Sequence, residues 1–257
     1  VQEVPRALTS LKYFNENAPE YAVIATGSSL GVTVHPGTSF PVGQVHFQKL
    51  YPLSFREFLM ACGEEGLSDL IADADTEMMS VFHERILEQL KYYLIIGGMP
   101  EAVREFAEAK PAVDFERIGE VQARILRNYR DDFSKHSQLA PRGLPLRLNQ
   151  VWDSIPSQLS WENKKFMYTA VRESGRGRDF ELAIQWLVDT SLALKATRLV
   201  TPQYPLKMHE DFASFKLFLS DVGLLRTIAG INPAMILRQN DIFATAKGAF
   251  AEQYVCQ

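Results

Sequence analysis

The stretch Tyr21-Ala22-Val23-Ile24-Ala25-Thr26-Gly27-Ser28-Ser29 decides the class of fold that the sequence predicts. Its first five residues form an apolar run, and a polar turn that contains a glycine follows at once. This pattern is typical of a buried strand in a parallel sheet, with a polar loop at its carboxyl end. Residues 45–50 predict another strand, and Ser54 is placed to cap the helix that follows. The N-terminal part is therefore predicted to be α/β.

Helices are predicted on both sides of this segment. Upstream, Pro5 suits a first helical turn, and apolar residues recur at helical spacing until Pro19. Downstream, apolar residues recur every three or four positions between residues 79 and 155. The pair Gly97-Gly98 predicts the end of one helix, and Pro100 predicts the start of the next. The middle of the chain is therefore expected to be mainly helical.

Residues 166–219 predict a compact unit that mixes helix and strand. The alternating pattern at residues 166–171 predicts a strand, and Asp179 is placed to cap a helix. Two more strands are predicted at residues 194–200 and 215–219. Helix, strand, helix and two-stranded hairpin is the order of elements in a winged helix. The chain is thus predicted to be helix-rich overall, with an α+β unit after the helices.

The composition is that of an ordinary globular protein of the reducing cytoplasm. The 257 residues carry a formal net charge of −4, which predicts neither a histone-like partner nor a membrane surface as partner. No apolar run approaches the roughly 20 residues that a membrane-spanning helix needs. Cys62 and Cys256 are far apart in the sequence, so neither a disulfide framework nor a zinc site is predicted. We expect a cytoplasmic location, no membrane contact and no metal site in this chain.

Positive charge is concentrated in one part of this acidic chain. Residues 142–207 contain ten Lys or Arg and six Asp or Glu, a net charge of +4, which leaves −8 for the rest. Arg172, Arg176 and Arg178 form the densest cluster, beside a glycine turn. A basic unit of this kind suits contact with phosphates, which makes DNA a candidate partner. The alternative is that these arginines contact the α/β part of the same chain.

Eight short phrases, taken together and in order, resemble one family of bacterial and archaeal proteins. They are Val4-Pro5-Arg6-Ala7-Leu8 with Leu11-Lys12-Tyr13-Phe14, Ala25-Thr26-Gly27-Ser28-Ser29-Leu30-Gly31, Tyr51-Pro52-Leu53-Ser54-Phe55-Arg56-Glu57-Phe58, Gly97-Gly98-Met99-Pro100-Glu101-Ala102-Val103, Asp132-Phe133-Ser134-Lys135-His136, Ala183-Ile184-Gln185-Trp186-Leu187, Phe215-Lys216-Leu217 and Asp221-Val222-Gly223-Leu224-Leu225. The set is similar to prokaryotic AAA+ ATP-binding proteins in which a C-terminal domain of unknown function follows the ATPase core. In that family this region resembles a winged helix that leads into a restriction-endonuclease-like fold.

The resemblance implies four segments. Residues 1–58 are expected to be the C-terminal part of the AAA+ ATPase core, after the Walker B strand, and residues 59–138 a helical lid or linker. Residues 139–230 are expected to form a winged-helix-like domain, and residues 231–257 the start of a truncated nuclease-like domain. The chain is thus expected to be an internal fragment: an α/β remnant of an AAA+ core, a mainly helical lid and a winged-helix (α+β) domain.

The resemblance also implies which residues carry chemistry. The sensor 1 role, in which a polar side chain at a strand tip orients the attacking water or touches the γ-phosphate, falls on Ser28, with Thr26 second. The alternative is a turn whose hydroxyls satisfy local backbone groups. Glu252 lies where the nuclease-like fold begins, and alone it supports no activity, because such a site needs further acids and a lysine. No arginine finger is predicted, since Gln44 follows Gly43 where relatives often carry a basic residue.

The residues that grip ATP in such proteins do not occur in the sequence. There is no Gly-x-x-x-x-Gly-Lys-Ser/Thr motif, and in the family's pattern the Walker B acids precede Val1, so Glu3 is not the catalytic acid. ATP and Mg²⁺ are therefore expected cofactors of a full-length parent, and none is expected for this chain, which is predicted to be inactive alone.

The predicted function of the parent is ATP binding, with hydrolysis coupled to movement of the winged-helix and nuclease-like module. The alternative is a non-catalytic protein, either a nucleotide-sensing scaffold or a DNA-binding regulator. A third class is a nuclease. An intact upstream Walker pair would favour the ATPase, degenerate Walker residues would favour the regulator, and a complete downstream set of carboxylates and a lysine would favour the nuclease. The sequence does not predict an oligomeric state.

Overall fold

The computed structural model describes residues 5–27, 43–135, 143–160, 165–238 and 248–257, and helices dominate it, as predicted. The elements are α1 (Pro5–Asn17), α2 (Phe55–Ala61), α3 (Glu65–Ala72), α4 (Thr76–Val81), α5 (His83–Ile96), α6 (Pro100–Ala109), α7 (Phe115–Lys135), α8 (Leu144–Ser160), α9 (Tyr168–Val171), α10 (Gly177–Asp189), β1 (Ala193–Leu199), a 3-10 turn (Leu206–His209), β2 (Glu210–Leu219), α11 (Val222–Ile228), α12 (Pro233–Arg238) and α13 (Ala249–Cys256). None of the helices described is both long and apolar enough to cross a membrane.

The two strands predicted near the N-terminus do not form among the described residues. Residues 22–27 and 45–50 carry no strand assignment, and neither segment belongs to the sheet. Ile24 is 89% exposed and Leu50 is 90% exposed, so the two segments are not buried as strands of a parallel sheet would be. A parallel strand is buried only when other elements cover both of its faces. No described strand flanks these segments, and the prediction of buried strands is therefore wrong for this chain.

The mixed unit after α8 forms with one change. β1 and β2 pair antiparallel, as predicted, and Ala193 lies opposite Leu219. The prediction of a strand at residues 166–171 is wrong, because four of these six residues form the short helix α9. Only Phe166 keeps a strand-like bond, in which its N–H donates to the carbonyl of Phe215 at 2.6 Å. The alternation of aromatic residues has another cause, since the rings of Phe166 and Tyr168 both pack against the ring of Phe215.

The start of α10 also differs from the prediction. Asp179 is not the N-cap of this helix, because the helix begins at Gly177 and Arg176 is the capping residue. Asp179 is the third helical residue, and its carboxylate accepts a hydrogen bond from the N–H of Arg176 at 3.0 Å. A carboxylate in the first turn satisfies a free backbone N–H and interacts favourably with the helix dipole, so it stabilises the same helix start from a different position.

Two hydrophobic cores lie side by side. The helical core contains residues of α2, α5, α6 and the first half of α7, and among them are Phe58, Tyr93, Phe106 and Ile118. The hairpin core contains residues of α8, α10, β1, β2 and the second half of α7, and Trp152 is fully buried in it. Because α7 contributes to both, it fixes one core against the other.

The chain that follows β2 returns to the place where the two cores meet. In α11, Val222 packs in the helical core, whereas Leu224 and Leu225 pack in the hairpin core. In α13, Phe250 belongs to the helical core and Ala249 to the hairpin core. Burying a large apolar side chain stabilises a fold by about 1.5–3 kcal/mol, so α11 and α13 hold the two cores together.

Candidate functional site

The sensor positions predicted at the N-terminal strand tip are only partly described. Ser28 lies outside the described residues. Thr26 lies in the extended segment 22–27, where its side chain is exposed and forms no hydrogen bond to another described residue. The alternative in which these hydroxyls satisfy local backbone groups is thus not seen at Thr26. The sensor role of both residues stays a prediction.

The described residues near Thr26 do not fit ATP or a magnesium ion. A groove of about 340 Å³ lies between α1 and residues 21–25 and 44–48. Its lining combines apolar side chains with amides and His46, but includes no Lys or Arg that could pair with phosphates. Across the described ranges there is also no group of three or more His, Cys, Asp or Glu side chains that could hold a metal ion. The described lining of this groove therefore offers no cation that could pair with a phosphate.

Arg172, Arg176 and Arg178 surround the N-terminus of α10, and we call this group the basic end. All three side chains are exposed. The guanidinium of Arg172 lies 3.6 Å from the carboxylate of Asp179 and over the ring of Phe180. An exposed pair of this kind contributes about 0–1 kcal/mol. Neither Arg176 nor Arg178 forms an ion pair with a described residue, so two guanidinium groups remain for an anion beside the positive end of a helix dipole.

The turn before α10 requires a glycine at position 175. Gly175 is buried, and a Cβ added there would lie 2.4 Å from the carbonyl oxygen of Tyr168 and 2.8 Å from that of Arg172. Its N–H donates to the carbonyl of Arg172 at 2.8 Å, which closes the turn. The close approach of two backbone segments thus places Arg172 and Arg176 on either side of Gly175.

The remainder of the exposed face of α10 is not basic. Glu181, Gln185 and Asp189 are exposed along it, and the amide of Gln185 donates to the carboxylate of Asp189 at 2.7 Å. Carboxylates repel phosphates, so the basic end, rather than the length of α10, suits contact with an anion. The alternative, in which these arginines contact the N-terminal part of the chain, stays a prediction.

Glu252 is held in an ion pair at the surface. Its two carboxylate oxygens accept hydrogen bonds from the Nζ of Lys216 at 2.9 and 2.7 Å. The adjacent Gln253 is buried and bonds to both the N–H and the carbonyl of Leu219, at 3.0 and 2.7 Å. The two residues tie α13 to β2. The predicted nuclease-like role of Glu252 gains no support from this arrangement and stays a prediction.

A site that the sequence analysis did not identify lies where the two cores meet, and we call it the junction. Its centre is Asp221, which is 0% exposed. The N–H of Gly98 donates to its Oδ2 at 2.5 Å, and the N–H of Leu224 donates to its Oδ1 at 2.9 Å, which caps α11. Burial raises the pKa of Asp221 to about 6, although these bonds and one from Gly223 lower it. The carboxylate therefore holds the α5–α6 turn against the start of α11.

The junction also binds the segment that precedes α2. The N–H of Leu53 donates to the carbonyl of Gly98 at 2.7 Å, and the hydroxyl of Tyr93 donates to the carbonyl of Leu53 at 2.8 Å. A Cβ added at Gly98 would lie 2.0 Å from the Leu53 oxygen, and one added at Gly97 would lie 2.2 Å from the Asp221 Oδ1. The two glycines are thus needed because another backbone and a buried carboxylate approach them closely.

A buried guanidinium completes the junction. Arg226 donates to the carbonyl of Ile95 at 3.1 Å and to that of Ile231 at 2.8 Å, and it donates to the Oε1 of Gln122 at 2.6 Å. The amide of Gln122 in turn donates to the carbonyls of Ile95 and Ile96, at 3.0 and 2.8 Å. Burial lowers the pKa of Arg226 to about 10. This network satisfies carbonyl groups at the C-terminal end of α5 and fixes α5, α7 and α11 together.

A cavity of about 320 Å³ opens beside the junction. Tyr51, Met99, Tyr129, Trp186 and Ser220 are among the residues that line it, so it lies between the segment before α2 and both cores. Burial, together with the nearby charges of two carboxylates, raises the pKa of Tyr129 to about 12. The hydroxyl of Tyr129 therefore stays protonated at neutral pH and can donate a hydrogen bond.

The stability of the chain should depend on pH through Asp221. The unfolded carboxyl has a pKa of 3.8, and the folded one has a pKa of about 6, so the native state binds the proton more tightly. Stabilisation by this group is complete below pH 3.8 and is lost as the pH rises through 6. The difference corresponds to about 3 kcal/mol, of which about 1 kcal/mol falls between pH 5 and pH 7.

Urea unfolding of the wild type and of Asp221→Asn at pH 5, 6 and 7 tests this expectation. Tyr93 and Tyr129 face the same carboxylate, and both have pKa values raised well above this range, so neither titrates in it. The difference in unfolding free energy between the two proteins should shrink by about 1 kcal/mol from pH 5 to pH 7. A difference that is constant over this range would contradict the assignment.

Comparison with models of known families gives two matches. A model described as an AAA domain matches residues 1–59, and a model described as Domain of unknown function (DUF8612) matches residues 87–235. The second match covers more than half of the chain. Leu53 lies in the first matched region, and Gly98 and Asp221 lie in the second. Neither curated proteins nor solved structures give a significant match.

Proposed function

Because the chain belongs to the Domain of unknown function (DUF8612) family and carries AAA-domain sequence in its first 59 residues, we propose that it transmits movement from an ATPase to a DNA-contacting unit. In this proposal the complete protein binds ATP with Mg²⁺ through AAA-core residues that this sequence does not contain. The residues of this chain pass a movement of the AAA domain through the junction to the unit that carries the basic end.

The observation that carries the proposal is the direct hydrogen bonding between the two matched regions. Leu53 belongs to the AAA-domain match, and its backbone bonds to Gly98 and to the hydroxyl of Tyr93 in the other region. Gly98 in turn bonds to the buried Asp221 at the start of α11. A displacement of the segment that contains Leu53 must therefore move these partners or break two hydrogen bonds, each worth about 0.5–1.5 kcal/mol.

The unit that would receive this movement is proposed to be a winged helix within residues 139–230. The order α8, α9, α10, β1 and β2 supports the proposal, as does the bond from Phe166 to Phe215, which ties the segment before α9 to β2. Residues 59–138 are proposed to be the helical lid that connects it to the AAA domain. A nuclease-like activity is not included, because the described residues bring no group of further acids to Glu252.

Contact with DNA is proposed to occur through phosphates at the basic end. The free guanidinium groups of Arg176 and Arg178 and the N-terminus of α10 all favour an anion. The acids Glu181 and Asp189 lie further along the same face and disfavour an approach of the whole helix to a duplex. Binding of this kind depends on backbone charge and carries little information about base sequence.

Turnover of ATP by the full-length protein tests the AAA part of the proposal. Ser28→Ala should lower the turnover rate about 10-fold or more while nucleotide affinity stays within a few-fold, because a sensor hydroxyl acts mainly in the transition state. Ser10→Ala is a matched control, since the hydroxyl of Ser10 bonds to the carbonyl of Ala7 within α1. Unchanged turnover in Ser28→Ala would return Ser28 to a structural role.

Salt dependence of DNA binding tests the basic end. Replacement of Arg172, Arg176 and Arg178 by Gln should flatten the slope of log affinity against log salt concentration by about two units, since each neutralised phosphate adds about 0.9. Two units rather than three are expected because Arg172 is already paired with Asp179. Fluorescence anisotropy between 50 and 200 mM salt (about the range in which such contacts weaken strongly) measures the slope.

A matched variant separates local contact from loss of overall charge. Arg104, Arg127 and Arg238 are exposed arginines on α6, α7 and α12, and their replacement by Gln removes the same charge. Melting temperatures should stay close to the wild type in both triple variants, because surface substitutions usually change stability by no more than about 0.5 kcal/mol. Equal slopes in the two triple variants would refute a contact at the basic end.

A second candidate function is a nucleotide-sensing or DNA-binding regulator without hydrolysis. It shares the junction and the basic end with the first proposal and differs only in chemistry at the AAA domain. If the full-length protein binds ATP without measurable turnover, and ATP still changes its affinity for DNA, the regulator is favoured. Turnover that depends on Ser28 favours the ATPase.

A further inference from the structure

The tip of the β1–β2 hairpin carries a group of exposed apolar side chains. We define the wing tip as residues 200–212. Within it, the side chains of Tyr204, Met208 and Phe212 are 93%, 80% and 71% exposed. Val200 and Leu206 are exposed as well. Scattered exposed apolar residues are ordinary on a protein surface, but a contiguous group on a projecting element marks a binding surface.

The fully exposed charges of the hairpin are basic, whereas the two acids of the wing tip, Glu210 and Asp211, are half-buried. Lys195, Arg198 and Lys207 are exposed along the hairpin, and Lys195 lies 4.5 Å from the centre of the Phe215 ring. The acids on the opposite strand are half-buried, and the carboxylate of Asp211 accepts a hydrogen bond from the N–H of Ala213 at 3.1 Å. The aromatic side chains of the wing tip therefore lie on the same hairpin as exposed basic groups that can pair with a polyanion.

We propose that the wing tip binds unpaired nucleobases, with Tyr204 and Phe212 stacking on base faces and with Arg198 and Lys207 contacting phosphates. This inference rests on the proposed contact with DNA and names its substrate class: single strands or splayed ends. The bases of an intact duplex stack on each other and offer no free face. Exposed aromatic rings beside basic side chains are the combination with which proteins bind single strands without regard to sequence.

The placement of the wing tip agrees with this substrate. The last residues of α10 lead directly into β1, so the helix that carries the basic end and the strand that leads to the wing tip are consecutive elements of the hairpin core. A strand of nucleic acid that crosses both surfaces meets phosphate contacts at the basic end and base contacts at the wing tip. A protein or lipid surface would match the apolar groups, but it would not require the surrounding positive charges.

Anisotropy with single-stranded and duplex oligonucleotides tests the proposal on the whole chain. Tyr204→Ala and Phe212→Ala should each weaken binding of oligothymidylate at least about fivefold, and the double variant should weaken it at least about 25-fold. Affinity for an intact duplex should change by less than about twofold, because no base face is free there. The same titrations with oligouridylate show whether the two alanine substitutions weaken the binding of RNA by the same factors.

A spectroscopic readout reports stacking itself. In Tyr204→Trp the indole should support binding, and its fluorescence should be quenched by oligothymidylate beyond the change in the wild type, which measures the contribution of Trp152, Trp161 and Trp186. The control is Met78→Ala with Val81→Ala, which removes exposed apolar side chains from α4 and should leave binding unchanged.

The outcomes separate the failure of this inference from that of the proposed function. If the wild type binds duplex through the basic end, but the double variant binds oligothymidylate within about twofold of the wild type, only the wing-tip proposal fails. If the wild type binds no oligonucleotide at low salt, both fail. If the wild type self-associates in light scattering, and the double variant is monomeric with unchanged DNA affinity, the wing tip is a protein contact and the proposal is overturned.

Discussion

Gly98→Ala should destabilise the chain by more than about 3 kcal/mol. The added Cβ would lie 2.0 Å from the carbonyl oxygen of Leu53 and 2.7 Å from its nitrogen, and these backbone atoms cannot rotate away as a side chain can. The segment before α2 would have to separate from the α5–α6 turn. Its bond to the Gly98 carbonyl would be lost, and the bond from the Gly98 N–H to Asp221 would be strained. An unsatisfied buried group costs about 1–3 kcal/mol, and overpacking adds about 1–3 kcal/mol.

Urea unfolding of Gly98→Ala beside Gly119→Ala provides a matched measurement. Gly119 lies within α7, and a Cβ added there meets no atom within 4 Å. Alanine is the better helix former by about 0.5–1 kcal/mol, so Gly119→Ala should stabilise the chain slightly. Opposite signs for the two variants are expected. If both variants unfold at the same urea concentration, the close approach of Leu53 to Gly98 is not a feature of the protein in solution.

The same substitution separates folding from coupling in the full-length protein. A variant that remains folded at low temperature but has lost the Leu53–Gly98 bond should still turn over ATP, because the junction contributes no group to that chemistry in our proposal. The effect of ATP on DNA affinity should disappear. Retention of that effect would show that movement reaches the basic end by another route.

Elements defined by local signals were predictable from the sequence. The end of α5 at Gly97 and the start of α6 at Pro100 follow from the backbone preferences of the two residue types, and both occur as predicted. The pairing of β1 with β2 was predictable for the same reason, because apolar runs flank a connection that contains prolines. In each case the information lies within a few residues of the element.

Elements whose state depends on distant partners were not predictable. The apolar run at residues 22–25 has the composition of a buried strand, but burial requires neighbours, and the described residues provide none. The alternation at residues 166–171 reflects the packing of Phe166 and Tyr168 on Phe215, and this contact spans nearly fifty residues of sequence. A short helix and a strand could not be distinguished there by period alone.

The junction shows a further limit of sequence reasoning. Gly98 and Asp221 are separated by 123 positions, and no periodicity links them. The only sign of the junction was indirect, since three of the phrases that carry the family resemblance contain Leu53, Gly98 and Asp221. The structure gives these phrases a physical reason: each supplies a backbone or carboxylate group to the same buried contact. The arginines of the basic end, in contrast, were found from charge and a glycine turn, both of which are local.

Arg226→Met should destabilise the chain by about 1.5–6 kcal/mol, although two effects of this substitution oppose each other. Burial lowers the pKa of Arg226 from 12.5 to about 10, which corresponds to a desolvation cost of about 3 kcal/mol that methionine would remove. The guanidinium donates hydrogen bonds to Ile95, Ile231 and Gln122, and bonds to a charged group contribute about 1.5–3 kcal/mol each. Together these bonds exceed the cost of desolvation.

The three acceptors of the Arg226 hydrogen bonds should not all be left without a donor in Arg226→Met. The carbonyl of Ile95 still accepts a hydrogen bond from the Gln122 amide, and the Oε1 of Gln122 still accepts one from the Thr227 hydroxyl. The carbonyl of Ile231, in contrast, loses a donor that no other described side chain replaces. The loss of structure should therefore be largest in the segment between α11 and α12. Relative to the wild type, amide hydrogen exchange in Arg226→Met should accelerate more in this segment than in α8.

Unfolding of Arg226→Met and Arg226→Lys beside Arg104→Met completes the test. Lysine keeps a positive charge, but its ammonium cannot reproduce the planar geometry of the guanidinium, so Arg226→Lys should also be destabilised. Arg104 is exposed on α6, and its replacement should change the unfolding free energy by no more than about 0.5 kcal/mol. If Arg226→Met is as stable as Arg104→Met, the desolvation cost equals or exceeds the hydrogen bonds, and the junction does not depend on a buried charge.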